Sequence, residues 1–172
     1  MGRWVNGAGF VLGWLACVGG AARGRPWAGP AAAAVLIGLH LAASRDPARE
    51  LRRLAAVGAF GAALESAAVA LGLYGYAGGW GVWWLAPAWI VALWVLLAAT
   101  FESSLAWLDG RPWLAAAVGA VASPLIFSAG ARLGAAGYVA PPFVSLAALA
   151  VVWSAALPLA FAVSRAAGGD CC

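Results

Sequence analysis

The sequence predicts an all-α, polytopic transmembrane bundle of six spans with both termini in the cytoplasm. Three observations predict it. Of the 172 residues, 65% are hydrophobic and 9% are charged, against roughly half and a quarter in soluble domains. Apolar runs recur along the chain, and several reach the ~18–20 residues that a helix needs to cross a ~30 Å hydrocarbon layer. These Ala, Leu, Val and Trp runs have no strand alternation, and in lipid only helices or a closed barrel satisfy the backbone.

The apolar runs between Arg, Gly and Pro clusters fall at about 4–21, 28–44, 54–74, 83–107, 113–130 and 142–164, within one integral membrane domain of residues 1–172. Short connections and an even number of spans put the termini on one side, with "SRDPARELRR" (44–53) and "DGRP" (109–112). That side carries Arg3, Arg45, Arg49, Arg52, Arg53, Arg111 and Arg165, against Arg23, Arg25 and Arg132 on the other. The excess of positive charge makes it the cytoplasmic side. A net charge of +4 would suggest nucleic acid in a soluble protein, but the ten basic residues are all Arg and mostly flank spans. They are topology signals, and no nucleic-acid partner is expected.

The first run carries Arg3 and the small residues of "VGGAA", as a cleaved signal peptide does. Its length and the central Trp14 favour a retained span. The third connection, "YGYAGGWGVWW", is uncharged and aromatic, which predicts an interfacial belt of Tyr74, Tyr76, Trp80, Trp83 and Trp84. Trp4, Trp107 and Trp113 mark the opposite interface. "GRPW" occurs at 24–27 and at 110–113, before the second span of each three-span half. Inverted repeats of this kind mark transporters. Helix-start chemistry, with Pro at the first turn and Trp at the interface, is the simpler source. Pro124 and Pro158 fall inside spans, where each removes a backbone donor and predicts a kink.

Three ionisable residues, His40, Glu65 and Glu102, lie at membrane depth, where a charge costs ~2.5 kcal/mol or more. Counted from the start of the third apolar run, Glu65 is about 16 Å deep, near the midplane. It shares a helical face with Gly58, Gly61, Ala62, Ala68, Val69 and Gly72, a small-residue stripe that predicts contact with a neighbouring helix. His40 and Glu102 lie roughly 6 and 8 Å in from the cytoplasmic edge, with Asn6, Ser44, Thr100, Ser103 and Ser104 in the same half. The expected site is a polar ligand or proton path through Glu65, Glu102, His40, Asn6 and Ser103, opening to the cytoplasm with Glu65 at its floor. Hydrogen-bonded glue between helices is the structural alternative for each.

Cys17 lies in the first span and Cys171 and Cys172 end the chain, which suggests no disulfide framework. The terminal "CC" lacks the four-residue box of a prenylation signal. No zinc-ligand set, glycine-rich phosphate loop or nucleophile elbow is present, and no cofactor, metal or catalytic residue is expected.

Together "NGAGFVLGWLACVGGAARGRPWAGP", "PAWIVALWVLLAATFESSLAWL" and "SPLIFSAGARLGA" resemble a family of small bacterial inner-membrane proteins catalogued as a domain of unknown function. The resemblance covers almost the whole chain. It implies a compact helical bundle in the bacterial inner membrane, and it brings no established activity or catalytic residue. Relatives are often encoded beside enzymes that modify membrane fatty acids, which favours a lipid-related role. Two functions are therefore expected: binding or moving a small or lipidic ligand, or serving as accessory subunit or enzyme in membrane-lipid modification. Membrane lipids, and a membrane or lipid-modifying protein, are the expected partners.

Overall fold

The computed structural model describes residues 2–169; Cys171 and Cys172 lie outside them. Among these residues six α-helices follow in order: α1 (Arg3–Ala22), α2 (Ala28–Ala42), α3 (Pro47–Ala70), α4 (Ala88–Ala98), α5 (Pro112–Arg132) and α6 (Pro142–Gly168). Four of them, α1, α3, α5 and α6, are long and apolar enough to cross a membrane. The other two are shorter: at 1.5 Å per residue α2 covers ~22 Å and α4 ~16 Å.

Two helices, α3 and α4, have limits that differ from the apolar runs for chemical reasons. α3 begins at Pro47 rather than near residue 54, because Asp46 caps it through Oδ1, which accepts from Arg49 N at 2.9 Å, and Pro47 occupies the first turn. The run 83–107 is helical only over Ala88–Ala98. Pro87 starts α4 in an extended conformation. After Ala98 the chain passes into turns, where Thr100 Oγ1 donates to Leu97 O at 2.6 Å and Asn6 Nδ2 donates to Ala99 O at 3.0 Å. Hydroxyls that bond to nearby carbonyls compete with the helical ladder.

α4 is the centre of the bundle. It packs against α1, α2 and α3, while α6 packs on α3 and α5. The small stripe on α3 faces it as expected, with Gly61 against the Trp94 ring and Gly58 against Val95. A side chain at Gly61 would occupy the space of the indole. Trp94 stacks on Trp153 of α6 with ring centroids 4.7 Å apart, and Phe101 stacks on Phe161 at 4.1 Å.

The two three-helix halves do not pack alike. α1 lies along α2, but the counterpart pair α4 and α5 makes at most marginal contact, and α5 and α6 pack more extensively than α2 and α3. The two "GRPW" segments share Gly24 and Gly110 at φ near 70°. They then diverge, the helix starting at Ala28 in one and at Pro112 in the other.

At one end of the bundle, β1 (Gly75–Tyr76) pairs antiparallel with β2 (Ala136–Gly137), closing the 71–87 and 133–141 connections over the helices. This turns two of the expected interfacial aromatics inward. Tyr74 is fully buried and Tyr76 partly so, while Trp83 remains 77% exposed. At the other end the starts of α1 and α3, the segment 99–111 and the end of α6 meet: Ser104 Oγ donates to Arg3 O at 2.7 Å, Arg49 Nε to Gly168 O at 3.0 Å, and Arg165 Nη1 pairs with Asp109 Oδ1 at 2.6 Å.

Candidate functional site

The five residues expected to line one path fall into two groups at opposite ends of the bundle. Glu65 is 15 positions beyond Glu50 on α3, or ~22 Å along the helix axis. With α3 starting at Pro47, Glu65 sits about a turn and a half from its far end, not near the middle of the helix. It does not floor the pocket that holds the other four.

That second pocket, about 370 Å³, is lined by His40, Asn6, Glu102 and Ser103 together with Arg45, Asp46, Arg49 and Glu50. Its side chains are joined to one another. His40 Nε2 lies 2.8 Å from Glu50 Oε1, and Arg53 Nη1 lies 3.1 Å from Glu50 Oε2. Arg53 also pairs closely with Glu102 and donates through Nε to Ser164 Oγ at 3.0 Å. Glu102 is 56% exposed at the side chain, as its depth near the edge implied, whereas Glu50 and Arg53 are buried. His40 Nδ1 is buried with no hydrogen-bond partner among the described residues. Asn6 bridges α1 to the turns after α4: its Nδ2 donates to Ala99 O and its Oδ1 accepts from Ser104 Oγ at 2.9 Å. Ser103 Oγ bonds only to the carbonyls of Ala99 and Thr100. The cluster ties α2, α3, α6 and the 99–105 turns together. Sequence reasoning missed Glu50 and Arg53 as buried partners, although their i, i+3 spacing behind an Asp-Pro helix start was a readable signal.

Glu65 belongs to a different cavity, of about 290 Å³, between α1, α4, α5 and α6. The lining follows helical periods. α1 contributes Phe10, Trp14 and Val18; α4 contributes Trp89, Ile90, Leu93, Trp94 and Leu97. α5 contributes Val118, Gly119, Ala122, Ser123, Ile126, Phe127 and Gly130, and α6 contributes Leu149, Trp153 and Leu157. From Val118 to Gly130 this stripe runs ~18 Å along the bundle. α1 and α5 both line it yet are not among the closely packed helix pairs.

The one ionisable carboxyl among the lining residues, Glu65, stands at one end of this cavity. Glu65, 2% exposed, accepts from three donors: Tyr74 Oη at 3.0 Å and Tyr76 Oη at 2.7 Å on Oε2, and Trp94 Nε1 at 3.3 Å on Oε1. Burial, reinforced by the carboxylate beside it, holds the Tyr76 phenol well above the usual tyrosine range, which keeps it a donor. A carboxylate with two oxygens and about four lone-pair positions thus has three of them filled by neutral groups. Tyr74, Tyr76 and Trp94 were not among the expected site residues, because the connection that folds Tyr74 and Tyr76 back onto α3 has no local signal for doing so.

A family model matches residues 3–159, nearly the whole chain, under the description "Protein of unknown function (DUF2878)". The chain belongs to that family. No curated protein and no solved structure matches it. In this DUF2878 member, both the Glu65 cavity and the His40–Glu50–Arg53–Glu102 cluster lie within the matched residues. Among the described residues no three His, Cys, Asp or Glu side chains come together as a metal site.

Proposed function

We propose that the protein is a multi-pass protein of the bacterial inner membrane that binds the apolar chain of a small lipidic ligand in the cavity between α1, α4, α5 and α6. The single observation that carries this reading is the cavity itself, about 290 Å³ with an almost wholly apolar lining. Close-packed interiors leave few voids larger than a water molecule, and this one reaches the lower end of the ~300–1,000 Å³ typical of ligand pockets. Its elongated form suits a single chain, and the α1–α5 side, where two lining helices do not pack closely on each other, is where such a chain would enter from the hydrocarbon. Membrane lipids are the partners this implies.

Binding or carriage rather than catalysis is supported by how the polar groups on the wall are used. Ser123 Oγ donates to Leu149 O at 3.2 Å, and Glu65 is engaged by Tyr74, Tyr76 and Trp94. His40, Asn6, Glu102 and Ser103 are assigned to the joint that holds the helix ends together. The Arg distribution puts that joint on the cytoplasmic side, and so the Glu65 end of the cavity in the outer leaflet.

The test is photolabelling with an alkyl diazirine in nanodiscs. Labelling should concentrate on α1, α4 and α5 around Trp14, Leu93 and Val118, and Ala122→Phe should suppress it without loss of helical signal. Labelling spread over outward residues such as Val35 and Val151 and unchanged in Ala122→Phe refutes the reading.

A further inference from the structure

We infer that the ligand of this cavity is a single-chain amphiphile with a cationic nitrogen, the nitrogen resting against Glu65 and the chain running down the apolar stripe. The inference rests on the cavity being a binding site and adds the chemistry of what it holds. Three independent features support it.

The first is charge. Glu65 is buried and its partners, two phenols and an indole, are all neutral. A buried carboxylate without a counter-ion is costly, and the cost is relieved either by taking up a proton or by pairing with a cation. Every arginine lies off the cavity wall, so the chain itself does not supply the cation. One lone-pair position of the carboxylate is left for a fourth donor.

The second is the nature of the surrounding wall. Tyr76, Trp89, Trp94, Phe127 and Trp153 line the same cavity as Glu65. Tyr76 and Trp89 meet edge to face at 5.5 Å, and Trp94 and Trp153 stack at 4.7 Å. Aromatic faces attract alkylammonium groups through the ring quadrupole, most strongly in desolvated sites. An anionic head would meet both these faces and the carboxylate unfavourably, and a neutral head would gain neither the aromatic faces' attraction for a cation nor the pairing with Glu65.

The third is shape. The stripe has a carboxylate at one end and, from Leu93 through Leu97 to Leu105 and Phe10, only hydrocarbon and aromatic surface at the other. A volume of about 290 Å³ drawn out along ~18 Å has the proportions of one alkyl chain. A diacyl phospholipid with an amine head group is therefore a poor occupant, although it shares the charge.

The experiment is a head-group series on the native chain in phosphatidylcholine nanodiscs, with binding measured by native mass spectrometry. Dodecylammonium, dodecanol and dodecyl phosphate present one chain with positive, neutral and negative heads. The cation should bind about tenfold tighter than either of the others, the scale of a desolvated cation–aromatic contact. Glu65→Gln should remove that preference while leaving dodecanol binding within about threefold, and Ala122→Phe should abolish binding of all three. Adding phosphatidylethanolamine to the disc should not compete. Equal binding of the three probes overturns the cationic assignment while leaving the cavity reading intact. Binding of none of them, or binding insensitive to Ala122→Phe, overturns both. Competition by phosphatidylethanolamine overturns the single-chain assignment. The series on the native chain decides the question even if Glu65→Gln fails to fold.

Discussion

Tyr76 Oη donates to Glu65 Oε2 at 2.7 Å, across 11 positions of sequence, and so fastens the connection after α3 back onto the helix it has just left. The same phenol packs edge to face on Trp89 of α4. One side chain therefore joins the β1 segment, the buried carboxylate and the central helix. This contact makes the polar end of the cavity a constructed feature and not a gap left by poor packing.

Removing that hydroxyl leaves a buried carboxylate short of one donor. Tyr76→Phe should lower stability by ~1.5–3 kcal/mol, the range for hydrogen bonds to charged groups. Thermal unfolding in detergent followed by circular dichroism measures it. Tyr138→Phe, which loses an exposed bond to Ser128, should stay within ~0.5 kcal/mol of the native chain.

The cluster at the opposite end predicts a ranking. Arg53 is buried and serves Glu50, Glu102 and Ser164 at once. Arg53→Met should cost ~3–5 kcal/mol, because it takes the buried partner from Glu50 Oε2 and leaves that carboxylate held through Oε1 by His40. Glu102→Gln removes an exposed partner and leaves the Arg53–Glu50 pair standing, so it should cost ~0–1 kcal/mol. Equal melting temperatures for the two variants would show that burial does not set the energetics here.

Glycine substitutions should differ in sign. Gly61→Ala drives a methyl group into the Trp94 ring, which is itself held by Trp153 and Glu65. The expected loss is ~1–3 kcal/mol. Gly38→Ala in α2 meets nothing within 4 Å, and should leave stability unchanged or raise it by up to ~1 kcal/mol through helix propensity. Parallel melting curves of the two variants check the contrast.

Sidedness is testable by labelling. In a chain with Cys17, Cys171 and Cys172 replaced by Ala, Ala43→Cys and Gly110→Cys should resist a membrane-impermeant maleimide in intact cells, while Gly81→Cys should react. Reaction at Gly110→Cys from outside would reverse the assignment of the Glu65 end to the outer leaflet.

The apolar runs located every helix, because a segment that shares its faces with lipid and with other helices must be apolar around its circumference, and composition shows that directly. The same uniformity hid where helices stop. In "LAATFESSLAWL" Thr100, Glu102, Ser103 and Ser104 interrupt the apolar run, but Leu105, Ala106 and Trp107 resume it, so the run by itself does not show that the helix stops at Ala98; there Asn6 of another helix donates to Ala99 O. The small stripe at Gly58 and Gly61 was legible as a contact face because only a close neighbour makes use of missing side chains. Arg53 read as one of the topology-setting arginines and Glu50 was not singled out, since nothing local shows that α2, α6 and the 99–105 turns cover them.

By itself, then, the sequence determined that the chain is a family of apolar helices with a charge-rich end and a few costly carboxylates. Hydrophobic composition and the burial cost of charge are properties of residues one at a time. Which carboxylate goes with which partner was decided only by tertiary structure. Glu65 meets Tyr74 and Tyr76 because the β1–β2 pairing folds the 71–87 connection back onto α3, and the cavity exists because α5 packs on α6 while remaining apart from α4. Both are arrangements of distant segments, set by the fit between helix faces, and no local pattern encodes a fit.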